Sequence, residues 1–181
     1  MIYLIDKIIH EIRTALSHEL YLSALALSLT LPDTCGQAEY PNKKFNGNRY
    51  KKWCNQYVIT DRCDGIYVCD MPYLNEEIIY SLRNCLLHQS TPNIKNSKIH
   101  ESRCKVDKFE LVINEEDSAN GALSIVTYGK DMCIVRRELK VYVSHLCHIL
   151  CIAAEDYYRN NKEKFDFIKY SIEDGRQNNG F

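Results

Sequence analysis

Glycine is scarce in this sequence, with seven in 181 residues, and proline is scarcer, with four. The chain contains no glycine-rich phosphate loop and no Gly-x-Ser-x-Gly turn of the kind that presents a nucleophilic serine. These absences disfavour a nucleotide-hydrolysing motor and a Rossmann-type enzyme.

A long apolar run is also missing. The most apolar stretch, residues 20–31, is interrupted by Ser23, Ser28 and Thr30 and is too short to cross a bilayer. The first seven residues lack the basic start and the small-residue cleavage site of a signal peptide. We therefore expect a cytoplasmic protein that has no membrane partner.

The nine cysteines include no Cys-x-x-Cys pair, and their odd number does not fit a complete disulfide framework. We expect most of them to be small buried hydrophobic residues. The net charge of −1 argues against a dedicated nonspecific nucleic-acid binder. With 45% hydrophobic and 26% charged residues, the composition is that of an ordinary globular chain. The length of the chain predicts one domain, over residues 1–175, and its terminal position predicts a flexible tail at 176–181.

Hydrophobic residues recur at three- and four-residue steps over much of the chain, which predicts helices. Pro32 should end the first helix, because a proline disfavours helix in the residue before it. Asp33 or Thr34 should cap the second helix and Asn75 the fourth. The predicted helices span residues 2–30, 33–39, 48–58, 76–89 and 139–161, and residues 60–72 are predicted to be irregular.

A change of period separates the fourth helix from the last one. Residues 109–114 and 124–128 have the alternation of strands and are joined by a polar turn through Asn120 and Gly121. A third short strand is predicted at 133–135. The sequence therefore predicts a mainly α bundle with a small antiparallel β-hairpin, at about residues 108–136, inserted before the final helix.

The predicted helix that ends at Gln89 has a second, polar face. Its apolar stripe consists of Ile78, Ile79, Leu82 and Leu86. At 100° per residue, Asn84 and His88 lie one turn apart on nearly the opposite side, and Arg83 lies at the border between the faces. Tyr80 flanks the polar pair. A face of this kind is typical of a groove or a subunit interface at which a phosphate binds.

The six residues Arg83-Asn84-Cys85-Leu86-Leu87-His88 resemble the signature of the HEPN family. In that signature an arginine, often followed by a polar residue, precedes a histidine by a short helical spacer. HEPN domains are helical bundles that usually dimerise with their motifs facing one another. Many are metal-independent endoribonucleases, including toxins of toxin–antitoxin pairs and nucleases of antiphage systems. The resemblance implies a HEPN-like bundle, a homodimer, RNA as substrate, an antitoxin or other protein as a further partner, and no cofactor.

The resemblance assigns the chemistry to Arg83, Asn84 and His88. An imidazole can act as base or acid near neutral pH, and a guanidinium can stabilise charge at phosphorus. Asn84 would orient the imidazole or the phosphate, and the products would carry 2′,3′-cyclic phosphate ends. Two alternatives remain open. Arg83 can instead form a surface salt bridge while His88 interacts with the helix C-terminus, or the chain can be a non-catalytic dimeric module that binds a protein or a nucleotide.

Residues 41–60 are basic, contain no acidic residue and are interleaved with aromatic residues. This composition is typical of RNA binding, in which cations contact phosphates and rings stack on bases. The predicted RNA contacts are Lys43, Lys44, Lys51 and Lys52, together with Tyr80. The alternative is that the aromatic residues form a core stripe and that Lys51 and Lys52 belong to a solvated face.

Two histidines and two cysteines near the middle of the last predicted helix suggest a zinc site at first sight. His145 and His148 are three residues apart, and Cys147 and Cys151 are four apart. The two pairs occupy different sides of one helix and cannot converge on a tetrahedral ion. We predict no metal site there and expect both cysteines to be buried.

Overall fold

In the computed structural model of the protein, residues 4–59, 74–90, 106–113 and 122–168 are described. This part of the chain is mainly α-helical, as predicted, and includes a three-stranded mixed sheet. The helices are α1 (Leu4–Ser17), α2 (Tyr21–Ser28), α3 (Leu31–Glu39), α4 (Asn46–Trp53), α5 (Glu76–Gln89) and α6 (Val143–Asn160). A π-helical turn, Cys54–Val58, continues α4, and a 3₁₀ turn, Lys162–Phe165, follows α6. The predicted irregular region 60–72 and the predicted tail 176–181 lie outside the described residues.

The prediction of a single helix over residues 2–30 is wrong, because the helix is interrupted between Ser17 and Tyr21. Glu19 adopts a left-handed conformation with a φ of 56°. The Ser17 hydroxyl and the His18 ring both lie 2.8 Å from the carbonyl oxygen of Thr14. Such local side-chain bonds compete with helix continuation, and hydrophobic periodicity does not reveal them.

Pro32 also acts differently from the prediction. It lies in the first turn of α3, a position that tolerates proline because its missing N–H has no partner within the helix. The helix therefore begins at Leu31, and the N-cap position is occupied by Thr30, without a side-chain cap, rather than by Asp33 or Thr34.

The core lies where α6 packs against α1, α2 and α3. One stripe of α6 is buried, and it contains Leu146, Leu150 and Ala154 together with Cys147 and Cys151, whose burial was predicted. Five of the six described free cysteines are buried, and Cys133 is exposed, so most of these thiols serve as small core residues. No helix in the described ranges is both long enough and apolar enough to cross a membrane.

The sheet differs from the predicted hairpin. Its strands are β1 (Lys108–Val112), β2 (Ala122–Tyr128) and β3 (Ile134–Tyr142), in the order β1-β3-β2. The hairpin is formed by β2 and β3, which are antiparallel, whereas β1 pairs with β3 in parallel. The predicted pairing of residues 109–114 with 124–128 is therefore wrong.

The third strand is also longer than predicted, so α6 begins at Val143 and not at Leu139. Leu139 and Val141 are buried, while Lys140 between them is only partly buried. This alternation is the period of a strand that leads directly into the helix.

Glu39, at the end of α3, joins this helix to the end of α6 and the turn that follows. Its Oε2 accepts a hydrogen bond from the Tyr157 hydroxyl at 2.8 Å and one from Lys164 Nζ at 2.6 Å. Burial raises the pKa of Glu39, but the hydrogen bonds and the charge of Lys164 outweigh this effect and leave the pKa below its ordinary value of 4.5.

Glu39→Gln is expected to lower the free energy of unfolding at pH 7 by about 1–2 kcal/mol, because it weakens two hydrogen bonds of an ionised acceptor. A lowered pKa means that the contribution of the carboxylate is present above pH 4.5 and is lost as the pH falls through the folded-state value. The deficit of the variant should therefore shrink at pH 3.5, as measured by urea unfolding at both pH values. The exposed Glu163→Gln is the matched control, and an equal deficit at both pH values would contradict this account.

Candidate functional site

Helix α5 begins at an effective cap, as predicted. Asn75 is 3% exposed, and its side-chain oxygen accepts hydrogen bonds from the backbone of Glu77 and Ile78, both at 3.0 Å. The helix ends at Gln89, after which Ser90 adopts a left-handed conformation. Its buried side chains are Ile78, Ile79, Leu82 and Cys85, and the predicted core residue Leu86 is only partly buried. On the remaining side of the helix, Arg83 and Asn84 are partly buried and His88 is exposed.

The three motif residues are in direct contact. Arg83 Nη1 lies 2.6 Å from His88 Nε2 and 3.1 Å from Asn84 Oδ1. A guanidinium can only donate hydrogen bonds, so Nε2 of His88 accepts in this contact.

Asp33 holds the other side of the Arg83 guanidinium. Its Oδ2 accepts from Arg83 Nε at 3.0 Å and lies 2.8 Å from Nη2. The Arg83 and Asp33 side chains are only 19% and 28% exposed. The sequence interpretation of Arg83 as part of a salt bridge is correct in this respect, although the pair is mostly buried.

Burial raises the pKa of Asp33, and the neighbouring charges of Arg83, Arg49 and His88 only partly oppose this effect. The position of Asp33 was not predicted, because 50 residues separate it from Arg83 and no local pattern indicates the pairing. Asp33, Arg83 and His88 together form the Asp33–Arg83–His88 chain, which leads from a mostly buried carboxylate to an exposed imidazole. Through it, the motif helix α5 is attached to α3.

The four predicted RNA-binding lysines lie on or beside α4. Lys51 forms an ion pair with Glu77 at 2.8 Å, while Lys43 and Lys52 lie 5.4 and 4.4 Å from the ring centroid of Tyr40. Lys44 is exposed on the loop before α4. Three of the four thus have intramolecular contacts, and their binding to RNA stays a prediction.

Tyr80, on α5, packs against α4. Its ring centroid is 5.2 Å from that of Tyr50, and Lys51 Nζ is 5.7 Å from its centre. A Cβ atom on Gly47 would lie 2.5 Å from the Tyr80 hydroxyl, so the Tyr80 ring would have to shift if this residue carried a side chain. This environment assigns Tyr80 a packing role, and its contact with RNA stays a prediction.

A second glycine brings α3 close to α4. A Cβ atom on Gly36 would lie 3.1 Å from the carbonyl carbon and oxygen of Arg49, which is tighter than ordinary contact. Gly36 therefore sets the distance between the α3 face that contains Asp33 and the α4 face that contains Arg49.

The two predicted pairs on α6 do point in different directions. Cys147 and Cys151 are buried, His145 is partly buried and His148 is exposed. Within the described ranges, no group of three or more His, Cys, Asp or Glu side chains is arranged to hold a metal ion.

Comparisons with protein-family models, curated proteins and solved structures find no match to this chain. The contacts among its own side chains are therefore the basis on which its function is inferred.

Proposed function

We propose that this protein is a metal-independent endoribonuclease of the HEPN type. It has a HEPN-like bundle, acts as a homodimer and cleaves RNA to leave 2′,3′-cyclic phosphate ends, in a toxin–antitoxin or phage-defence role. The observation that carries the proposal is the 2.6 Å contact between Arg83 Nη1 and His88 Nε2. The two residues that define the family signature are hydrogen-bonded to each other on a solvent-facing helix.

The reaction needs only groups of the kind present here. A neutral imidazole takes the proton of the RNA 2′-hydroxyl, and the 2′-oxygen attacks phosphorus. The bond from phosphorus to the 5′-oxygen breaks, and that oxygen takes a proton from an imidazolium. His88 of one protomer supplies the base and His88 of the second copy supplies the acid, which is why the proposal includes a dimer.

Arg83 is suited to stabilise the charge that develops at phosphorus. Asp33 binds its Nε and Nη2 atoms, and Nη1 faces His88. The guanidinium is thus oriented before substrate arrives, and a preorganised donor stabilises a transition state without a reorganisation cost. An incoming phosphate oxygen takes the place of His88 Nε2 as the acceptor from Nη1 and leaves Nε2 able to accept a proton.

A non-catalytic dimeric module remains the second candidate, and one observation favours it. The mostly buried Asp33–Arg83 ion pair connects α3 to α5, so the same contacts have a structural use without catalysis. RNA cleavage distinguishes the two candidates.

The test is cleavage of a labelled single-stranded RNA by the purified protein in EDTA. We expect cleavage to persist in EDTA and the products to resist phosphatase until acid opens the cyclic phosphate. An Arg83→Ala protein purified in parallel should lose the activity, which excludes a contaminating nuclease, and sedimentation should give the mass of a dimer. Absence of cleavage by a folded dimer, or equal cleavage by both proteins, contradicts the proposal.

A further inference from the structure

A pocket of about 390 Å³ opens beside the Asp33–Arg83–His88 chain. Its described lining comes from α1, α3, α4, α5 and the segment that follows α6. The volume lies within the range of pockets that bind small molecules, roughly 300–1,000 Å³. Because Arg83 lines the pocket and also contacts His88, any group bound there lies next to the motif.

The charged lining favours an anion. Among the described residues, two arginines, Arg49 and Arg83, line the pocket together with one acidic residue, Asp33. Arg49 Nη1 donates to the carbonyl oxygen of Lys43 at 2.8 Å, and Nη2 donates to Asn46 Oδ1. Arg49 is therefore held in place rather than free to move away, and fixed guanidiniums are the preferred partners of phosphate oxygens.

Another part of the pocket lining is apolar and partly aromatic. It contains Leu4, Phe167 and Ile168. The Phe167 ring is 44% exposed and lies nearly parallel to that of Phe165, with an angle of 23° and centroids 6.2 Å apart. An exposed ring supported from behind is a surface on which a nucleobase can stack.

Two amide side chains also belong to the pocket lining. Gln37 on α3 and Asn46 on α4 both line the pocket. Gln37 offers one acceptor and two donors, the combination that reads the edge of an unpaired base. Asn46, whose Oδ1 accepts from Arg49 Nη2, offers the two donors of its amide nitrogen.

We propose that this pocket binds one unpaired nucleotide of the RNA substrate, next to the phosphate that is cleaved, and that Gln37 and Asn46 select its base. This inference rests on the proposed ribonuclease function. Arg49 binds the phosphate of the selected nucleotide, and Phe167 stacks on its base. A base within a duplex cannot enter the pocket, so cleavage is restricted to unpaired RNA.

The test is binding of the four nucleoside 3′-monophosphates, measured by calorimetry. These molecules contain no phosphodiester bond and are not cleaved, so the measurement does not depend on catalysis. We expect one of the four to bind more tightly than the others, and Arg49→Ala to weaken binding of all four by about tenfold or more, the loss expected for a charge-assisted hydrogen bond. Gln37→Met, which removes the amide but keeps the size of the side chain, should reduce the preference among bases. Gln37 is chosen because Asn46 also holds Arg49, so a substitution at Asn46 would disturb both residues. Arg159→Ala, on an exposed part of α6, is the matched control.

The proposal for the pocket and the proposed ribonuclease function can be contradicted by different results. Two results would contradict the proposed nucleotide pocket even if RNA is cleaved. One is the absence of saturable binding up to about 10 mM, and the other is equal binding by folded wild type, Arg49→Ala and Gln37→Met. If RNA is not cleaved, the ribonuclease function fails, and the assignment of the pocket to a cleaved substrate fails with it. The binding data would then still show whether the pocket takes a nucleotide.

Discussion

His88→Ala is expected to lower the rate of RNA cleavage by about 1,000-fold, because a positioned acid or base contributes roughly 10²–10⁴-fold to proton-transfer reactions. The loss should appear in kcat, since the imidazole acts on the reacting atoms and contributes little to holding the rest of the RNA. The measurement is single-turnover cleavage of a labelled RNA in EDTA.

The exposure of His88 makes this variant informative. Its side chain lies at the solvent-facing end of α5, so its removal should leave the unfolding temperature nearly unchanged. His148→Ala, which removes an exposed histidine from α6, is the matched control and should cleave at the wild-type rate. Added imidazole should restore part of the activity to His88→Ala. Full activity of His88→Ala would contradict the proposed mechanism.

Asp33→Ala is expected to have the second largest effect, on both stability and rate. It leaves a mostly buried guanidinium without its carboxylate, and removing one partner of such a pair costs about 2–3 kcal/mol of unfolding free energy, less than for a fully buried pair. Cleavage should fall by about 10- to 100-fold, because Arg83 is no longer held in one orientation beside His88.

The Asp33 prediction separates positioning from simple loss of structure. At a temperature where the variant is fully folded, a positioning role predicts a lower kcat, whereas a structural role alone predicts only a lower unfolding temperature. A double-mutant cycle with Arg83→Ala should show that the two losses of activity are not additive. Asp156→Ala, an exposed carboxylate on α6, is the control for loss of a negative charge. Full activity of folded Asp33→Ala would show that Asp33 has no part in the reaction.

The motif helix could be predicted from sequence because all its signals are local. The cap residue Asn75, the apolar stripe and the polar face with Arg83 and His88 fall within one short segment. Asp33 could not be paired with Arg83 in this way, because the pairing depends on how α3 packs near α5. Local periodicity carries no information about such contacts.

The errors in the predicted fold also arise because the sequence pattern is local and the contacts are not. Alternation of apolar and polar residues identifies strands but does not specify the partner of each strand, so β1 was paired with β2 instead of β3. The break at Glu19 depends on one left-handed residue and on side-chain bonds to Thr14. Apolar residues continue through this break, and the sequence pattern therefore predicted a continuous helix.

The parallel pairing of β1 with β3 has a consequence for the order in which the sheet assembles. The β2–β3 hairpin closes over a short turn at Gly129, and such closures take microseconds. Attachment of β1 requires a much larger loop, since Asp107 and Arg137, which are hydrogen-bonded at its start, are 30 residues apart. We therefore expect β1 to be the last strand to join the sheet and the first to detach. Its detachment would leave the hairpin and α6, which follows β3 without a loop, in their native arrangement.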